Sequence, residues 1–125
     1  MIIHLGHLPD PDLSPNKRLH HMAAYQAKLL AKEEAYLRVL EVGRPRTSMP
    51  KAHITITWVA KDKRRRDIDN LFASMKASID GLVFAGVIAD DSADCVSYTL
   101  RYERGEKDDT VIEIEDYELI LKQKE

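Results

Sequence analysis

The stretch AHITITWVA, residues 52–60, carries the clearest secondary-structure signal in the chain. Successive side chains of an extended strand point to opposite sides, so Ile54, Ile56 and Trp58 fall together on one face. The other face takes the alternate residues, which are His53, Thr55, Thr57 and Val59. This period of two, with its many β-branched residues, predicts a half-buried β-strand.

The next stretch, RRRDIDNLFASMKASIDGLVFAGVIADDS at residues 64–92, opens on three arginines and ends with two adjacent aspartates. A helix is predicted after Asp69, because apolar residues return to one face at three- and four-residue steps. That face holds Leu71, Met75, Ile79 and Leu82. Gly86 is expected to end the helical region.

Before the strand, Ile2 and Ile3 predict a short edge strand, and residues 16–41 predict a helix capped by Ser14 or Asn16. Gly43 and Pro45 are expected to end this helix. Its predicted apolar positions are Leu19, Met22, Ala23, Leu29, Leu30, Tyr36, Leu37 and Leu40, and its predicted solvent side holds Lys28, Lys32, Glu33 and Arg38.

After the two aspartates, alternation over residues 96–103 predicts a second half-buried strand. The segment RGEKDD, residues 104–109, predicts a turn, and TVIEIED, residues 110–116, predicts the returning strand of a hairpin. The tail at residues 117–125 fits either a last strand or a short helix. The predicted fold class is a compact α/β (α+β) domain with a small mixed sheet and two main helices.

The composition of the 125-residue chain, with 44% hydrophobic and 32% charged residues, predicts one folded domain over residues 1–125. Residues 1–66 hold 13 Lys or Arg against 6 Asp or Glu, whereas residues 67–125 hold 6 against 15. Cys95 is the only cysteine, which excludes an intrachain disulfide and a zinc ribbon. Since the sequence shows neither a signal peptide nor a membrane-spanning apolar run, we expect a cytoplasmic protein.

Two acidic pairs are the candidate ligands of a hard cation such as Mg²⁺, which prefers carboxylate oxygens. Asp67 and Asp69 are two residues apart at the exit of the predicted strand, where extended backbone would point both carboxylates the same way. Asp90 and Asp91 would meet them if the intervening helix folded back. The alternative is a helix N-cap at Asp69 and a solvated turn at the second pair.

Lys76 and the neighbouring basic run complete the candidate site for a phosphate ester. Lys76 follows Asp69 by seven positions, which puts both on nearly the same face of a continuous helix. Its ammonium would offset transition-state charge, or else simply pair with Asp80 at the i, i+4 spacing. The basic run consists of Lys61, Lys63, Arg64, Arg65 and Arg66. It either contacts a phosphate backbone or is a solvated loop.

With RRRDIDNL, SIDGLVFAGVIADDS and the strand that follows, the chain resembles the RusA-like Holliday junction resolvases of bacteria, prophages and phages. The resemblance spans roughly residues 16–102, with PNKRLHH matching an N-terminal segment that supplies Asn16 and Arg18 to DNA binding. It implies a homodimeric Mg²⁺-dependent endonuclease for branched DNA, in which Mn²⁺ can replace Mg²⁺. It assigns metal binding to Asp67, Asp69 and Asp91, with Asp90 adjacent.

The lysine position departs from that family pattern. The family lysine follows the second aspartate by four positions, where this chain has Ala73, and Lys76 stands three positions further on. The function expected from the resemblance is resolution of four-way junctions by symmetric phosphodiester hydrolysis in DNA recombination and repair. The alternatives are a nuclease of broader specificity for branches or flaps, and a non-enzymatic DNA-binding module.

Overall fold

A four-stranded mixed sheet forms the centre of the computed structural model, which describes residues 1–15 and 21–118. The strands are β1 (Ile2–His4), β2 (Ala52–Ala60), β3 (Val96–Arg104) and β4 (Asp109–Asp116). Their order is β1-β4-β2-β3. The helices are α1 (His21–Val42), α2 (Ile68–Ala73) and α3 (Lys76–Phe84), with one 3-10 turn at Pro11–Leu13. The predicted fold class, a small mixed sheet with two main helical units, is confirmed.

Strand β2 is the central strand and supplies the middle of the core. Its side chains alternate between buried and half-buried along its whole length, as predicted. Ile54, Ile56 and Trp58 are fully buried, as are Ile112 and Ile114 of the neighbouring β4. The helices cover this face of the sheet because it carries the continuous apolar surface.

Strands β3 and β4 do not form the predicted hairpin. Strand β3 pairs parallel to β2 on one side, and β4 pairs antiparallel to β2 on the other. The connection between them crosses the end of β2, where the Gly105 amide donates to the Ala60 carbonyl at 3.1 Å. A Cβ atom at Gly105 would lie 2.6 Å from Cγ1 of Val59, so the crossing requires glycine.

Helix α1 buries a different face from the one that the sequence pattern predicted. Its buried residues are Ala27, Ala35 and Val39. Most of the predicted core positions are instead exposed, because small side chains allow α3 to pack closer than leucines would. The large apolar side chains of α1 that are exposed by 42–65% are Met22, Tyr25, Leu29, Leu30, Leu37, Leu40 and Val42.

Helices α1 and α3 touch through Gly81. A Cβ atom at this position would lie 2.5 Å from the Lys32 carbonyl oxygen and 2.9 Å from Cβ of Ala35. Glycine therefore lets the backbone of α3 rest directly on α1. This contact fixes α3, and with it Lys76 at the start of that helix.

The helix predicted after Asp69 is broken into α2 and α3 at Ser74 and Met75. The Ser74 hydroxyl donates to the Asn70 carbonyl at 2.9 Å, a bond to the preceding turn that bends helices. The bend places Met75 in the core with 1% exposure. Ile79 and Leu82 are likewise buried and Leu71 packs against the same core, so the predicted apolar face continues across the break.

The other predicted element ends agree with the structure where it describes them. Gly43 and Gly86 have φ of 97° and 79° and end α1 and the α3 region, as glycine in the left-handed conformation does. The predicted start of the first helix at residues 16–20, and the tail at 119–125, lie outside the described residues. No helix in residues 1–15 or 21–118 has the length and apolarity to cross a membrane.

Candidate metal and phosphoester site

Asp62 organises the loop of residues 61–67 that joins β2 to α2. Its two carboxylate oxygens accept from Nη1 and Nη2 of Arg66 at 2.7 and 2.9 Å. One of them also accepts from the backbone amide of Arg64 at 3.0 Å. The paired Arg66, and then the Arg64 amide, hold the pKa of the Asp62 carboxyl far below its ordinary value.

Strand β3 clamps the same loop through Tyr102 and Arg104. The Tyr102 hydroxyl accepts from Arg66 at 3.1 Å and from Arg104 at 2.9 Å. Arg104 also donates to the backbone carbonyls of Asp62 and Arg64. Sequence reasoning missed all three of Asp62, Tyr102 and Arg104. The i, i+4 spacing of Asp62 and Arg66 was the one local signal available.

The predicted basic run therefore divides into two roles. The Arg66 side chain is only 19% exposed and is occupied by Asp62, so it holds the loop rather than presenting charge to solvent. The exposed members of the run are Lys61, Lys63, Arg64 and Arg65. Of the predicted DNA-binding residues, Asn16 and Arg18 lie outside the described part of the chain.

Asp67 and Asp69 stand at the start of α2, not on an extension of β2. Asp67 has extended backbone at the N-cap position, but its side chain makes no capping hydrogen bond. Instead its Oδ1 forms an ion pair with Nη2 of Arg65 at 2.9 Å, and the side chain is 45% exposed. Asp69 lies within the first turn of α2, and its Oδ1 accepts from the Asn70 amide at 3.0 Å. The argument from extended geometry is therefore wrong for Asp69.

Lys76 joins α3 to the second acidic pair. Its ammonium donates to Asp91, fifteen residues later, and to Asp80 at 3.0 Å. The bond to Asp91, followed by the one to Asp80, raises the pKa of Lys76, and the same lysine lowers the pKa of the Asp91 carboxyl. Lys76 therefore makes two interactions at once, the predicted local pair with Asp80 and a contact with the candidate ligand Asp91. Asp90 is exposed beside them.

A cleft of about 580 Å³ opens beside the first acidic pair. One wall is the loop and the start of α2, with Arg64, Arg65, Arg66, Asp67 and Asn70. The opposite wall is the N-terminal segment from His7 to Ser14. Positive and negative side chains therefore line one wall of a cavity large enough for part of a nucleotide.

The N-terminal wall of this cleft is held to α1 by His7. Its Nε2 lies 2.8 Å from a Glu34 oxygen, and its Nδ1 lies 2.7 Å from the Leu8 carbonyl oxygen. Both partners are hydrogen-bond acceptors, an arrangement that favours the doubly protonated imidazole. Burial lowers the pKa of His7, but the hydrogen bonds to Leu8 and Glu34 outweigh it and the net shift is upward.

The candidate ligands fit a hard divalent cation in chemistry but are not gathered around one point. Asp67, Asp69 and Asp91 provide only oxygen donors, which suits Mg²⁺. Within residues 1–15 and 21–118, however, no three His, Cys, Asp or Glu side chains form a group placed to hold a metal ion. Asp91 is bound to Lys76. Metal binding by these three residues therefore requires them to move closer together, and Lys76 competes with the ion for Asp91.

Comparison with known proteins adds no relative to this picture. A scan against protein-family models finds no match, and a search of curated proteins finds no significant match. The functional argument consequently rests on the residues and on the geometry described above.

Proposed function

We propose that this chain is a divalent-metal-dependent endodeoxyribonuclease of the RusA-like type. The observation that carries the proposal is the single cleft in which the arginine run lies beside Asp67 and Asn70. Exposed arginines bind phosphate, and a neighbouring carboxylate suits a metal that acts on the same phosphate. The proposed reaction is symmetric phosphodiester hydrolysis at four-way DNA junctions during recombination and repair.

In this proposal Asp67, Asp69 and Asp91 hold Mg²⁺, which Mn²⁺ can replace. The bound ion supplies Lewis-acid stabilisation of the phosphate and lowers the pKa of a coordinated water. Lys76, once released from Asp91, provides positive charge for the reacting phosphate. About 69% of its side chain is exposed, so solvent and substrate can reach it once its bonds to Asp91 and Asp80 open.

The residues proposed to bind DNA lie in the loop that joins β2 to α2. Lys61, Lys63, Arg64 and Arg65 are exposed and provide sequence-independent contacts to the phosphate backbone. The partly exposed pair of Arg66 and Asp62 keeps their loop in place. Arg66 is therefore a positioning residue in this proposal.

The proposal includes a homodimer, because a two-fold protein matches the symmetry of a four-way junction. The support is the exposed apolar side chains of Leu30, Leu37 and Leu40, which lie on one side of α1. Exposed apolar patches of this kind mark association surfaces. A cytoplasmic location in a bacterium, or in a cell infected by a phage, belongs to the same proposal.

A non-enzymatic DNA-binding module is the second candidate, and the ion pair between Lys76 and Asp91 favours it. In that case the acidic residues serve the fold, and Mg²⁺ has no catalytic role. A third possibility is a nuclease of broader specificity that cuts flaps as readily as junctions.

Cleavage of labelled DNA with and without Mg²⁺ distinguishes these candidates. The substrates are a four-way junction, a flap and a linear duplex of matched sequence. We expect Mg²⁺-dependent cutting of the junction, and its loss in Asp67→Asn and Asp91→Asn, since an amide keeps the shape but loses the anionic ligand. Asp94→Asn is the matched control, because Asp94 is exposed and outside the site.

Each result decides one point. Near-wild-type turnover in both site variants would contradict the proposed ligands. Binding without cleavage at any Mg²⁺ concentration would identify a DNA-binding module. Equal rates on junction and flap would establish the broader nuclease.

A further inference from the structure

A second groove lies between α1 and the corner formed by α2 and α3, and Lys76 is among its lining residues. It encloses about 410 Å³. Its floor is apolar and includes Leu29 and Ala77, and its walls carry Tyr25, Lys28 and Lys32. Lys76 and Asp80 close one end. The groove therefore leads directly to the lysine of the candidate site.

The charges in this groove suit a polyanion. Lys28 is exposed and, in the described part of the chain, has neither a carboxylate partner nor a hydrogen bond. Lys32 lies over the Phe84 ring, with Nζ 5.0 Å from the centroid, and also lacks a carboxylate partner there. The acidic lining residue, Asp80, is already paired with Lys76. Lys28 and Lys32 are one helical turn apart and so project from the same side of α1.

Tyr25 gives the groove an aromatic surface. Its side chain is 60% exposed, although it belongs to a helix whose buried face lies elsewhere. An exposed ring beside lysines is the combination with which proteins bind single-stranded nucleic acid, because bases stack on the ring while cations hold the backbone. A base in an intact duplex is not available for such stacking.

We propose that this groove binds an unpaired nucleic-acid strand, with Lys28 and Lys32 on its phosphates and Tyr25 stacked on a base. The inference deepens the proposed function and rests on it, since it adds an unpaired segment next to the reacting phosphate.

The test is fluorescence anisotropy with a labelled oligothymidine in EDTA, so that binding is measured without cleavage. Lys28→Gln with Lys32→Gln should lower the slope of log affinity against log salt by about 1.4, because each phosphate contact to a single strand contributes about 0.7. Tyr25→Leu should weaken binding by roughly 5- to 140-fold, and Tyr25→Phe should not.

The controls separate this groove from general charge effects. Lys51→Gln with Lys107→Gln removes two exposed lysines outside the groove and should leave Tyr25-dependent binding intact. Lys28→Gln alone tests the groove without disturbing the contact between Lys32 and Phe84. It should lower the salt slope by about 0.7.

Three results would overturn the inference. These are unchanged oligothymidine binding in the groove variants, an equal loss in the control pair, or a charge effect with no effect of Tyr25→Leu. The last would indicate a surface for acidic partners in general. Junction cleavage by wild type with Mg²⁺ is measured separately, so a chain that binds the strand but never cuts would keep this groove and lose the proposed nuclease activity.

Discussion

Replacing Gly81 by alanine tests the contact that fixes the helix carrying Lys76. Alanine in a helix interior is favoured over glycine by about 1 kcal/mol, so helix propensity alone predicts a more stable protein. The structure predicts the opposite. The added Cβ would meet the Lys32 carbonyl oxygen at 2.5 Å and Ala35 Cβ at 2.9 Å. Neither atom belongs to a flexible side-chain end, so α3 itself must shift.

The expected size follows from these two opposing effects. Overpacking of a well-filled core costs about 1–3 kcal/mol, and contact with rigid backbone favours the upper end. After the gain in helix propensity, the free energy of unfolding should fall by about 2 kcal/mol. With an m-value of about 2 kcal/mol/M, the urea midpoint should fall by about 1 M. Trp58 is the single tryptophan and is fully buried, so its fluorescence follows unfolding.

Two further variants show whether the contact with α1 is responsible. Adding Ala35→Gly to Gly81→Ala removes the 2.9 Å contact but leaves the closer carbonyl, so the rescue should be partial at most. Gly86→Ala is the control for backbone conformation, since its φ is +79° and its nearest neighbour, Ser48 Oγ, is 3.8 Å away. If Gly81→Ala were as stable as wild type, the packing of α3 on α1 described here would be wrong.

The remaining predictions concern Lys76 and His7. Lys76→Ala should lower single-turnover cleavage of the junction at least about a hundredfold, which corresponds to about 2.7 kcal/mol of barrier, with little change in affinity. Lys76→Arg should restore part of the cleavage rate, and Asp80→Asn should cleave at the wild-type rate. If Lys76→Ala lowers the rate only a few-fold, the lysine is only a surface partner of Asp80. Because the pKa of His7 is raised in the folded state, protonation of His7 stabilises the fold. This contribution is fully present below pH 6.5 and is lost as the pH rises through the folded-state pKa. In the wild type the urea midpoint should therefore fall as the pH rises above 6.5, and in His7→Gln this fall should be smaller. An unchanged pH profile in the variant would mean that the contact with Glu34 does not form.

Local patterns predicted the secondary structure well where one face of an element is clearly buried. Strand β2 has the predicted bounds, since apolar and polar residues alternate along its whole length. That alternation does not determine which strands pair with one another in the sheet. A turn signal between β3 and β4 therefore suggested a hairpin, whereas the chain crosses the end of β2 at Gly105. The close approach to Val59, which requires that glycine, is visible only in three dimensions.

The face of α1 was mistaken for a related reason. Its sequence contains a face of large apolar residues and a second face of small ones, and hydrophobicity alone favours the large set. The small set is buried because α3 approaches through Gly81. The leucines left outside are consequently available for association or for binding.

The candidate site was predictable in its residue types and only partly in its geometry. The run of arginines and the acidic pairs stand out in the sequence. The contacts that hold the loop join Arg66 to Tyr102 and Arg104 to Asp62 across about forty residues, a distance at which no periodicity operates. The prediction that Arg66 binds DNA rests on its place in the basic run, which does not reveal that Asp62 accepts from its guanidinium.

The break between α2 and α3 changes the meaning of the displaced lysine. On one continuous helix, three extra residues would carry Lys76 about 4.5 Å along the axis and keep it near the face of Asp69. Because the helix bends at Ser74 and Met75, Lys76 instead begins a new helix and reaches Asp91. The separation of Lys76 from Asp69 along the sequence therefore does not indicate which groups the lysine ammonium can contact. In the proposed function, where Asp91 is a metal ligand, the cation would compete with the Lys76 ammonium for Asp91, and its binding would release the lysine towards substrate.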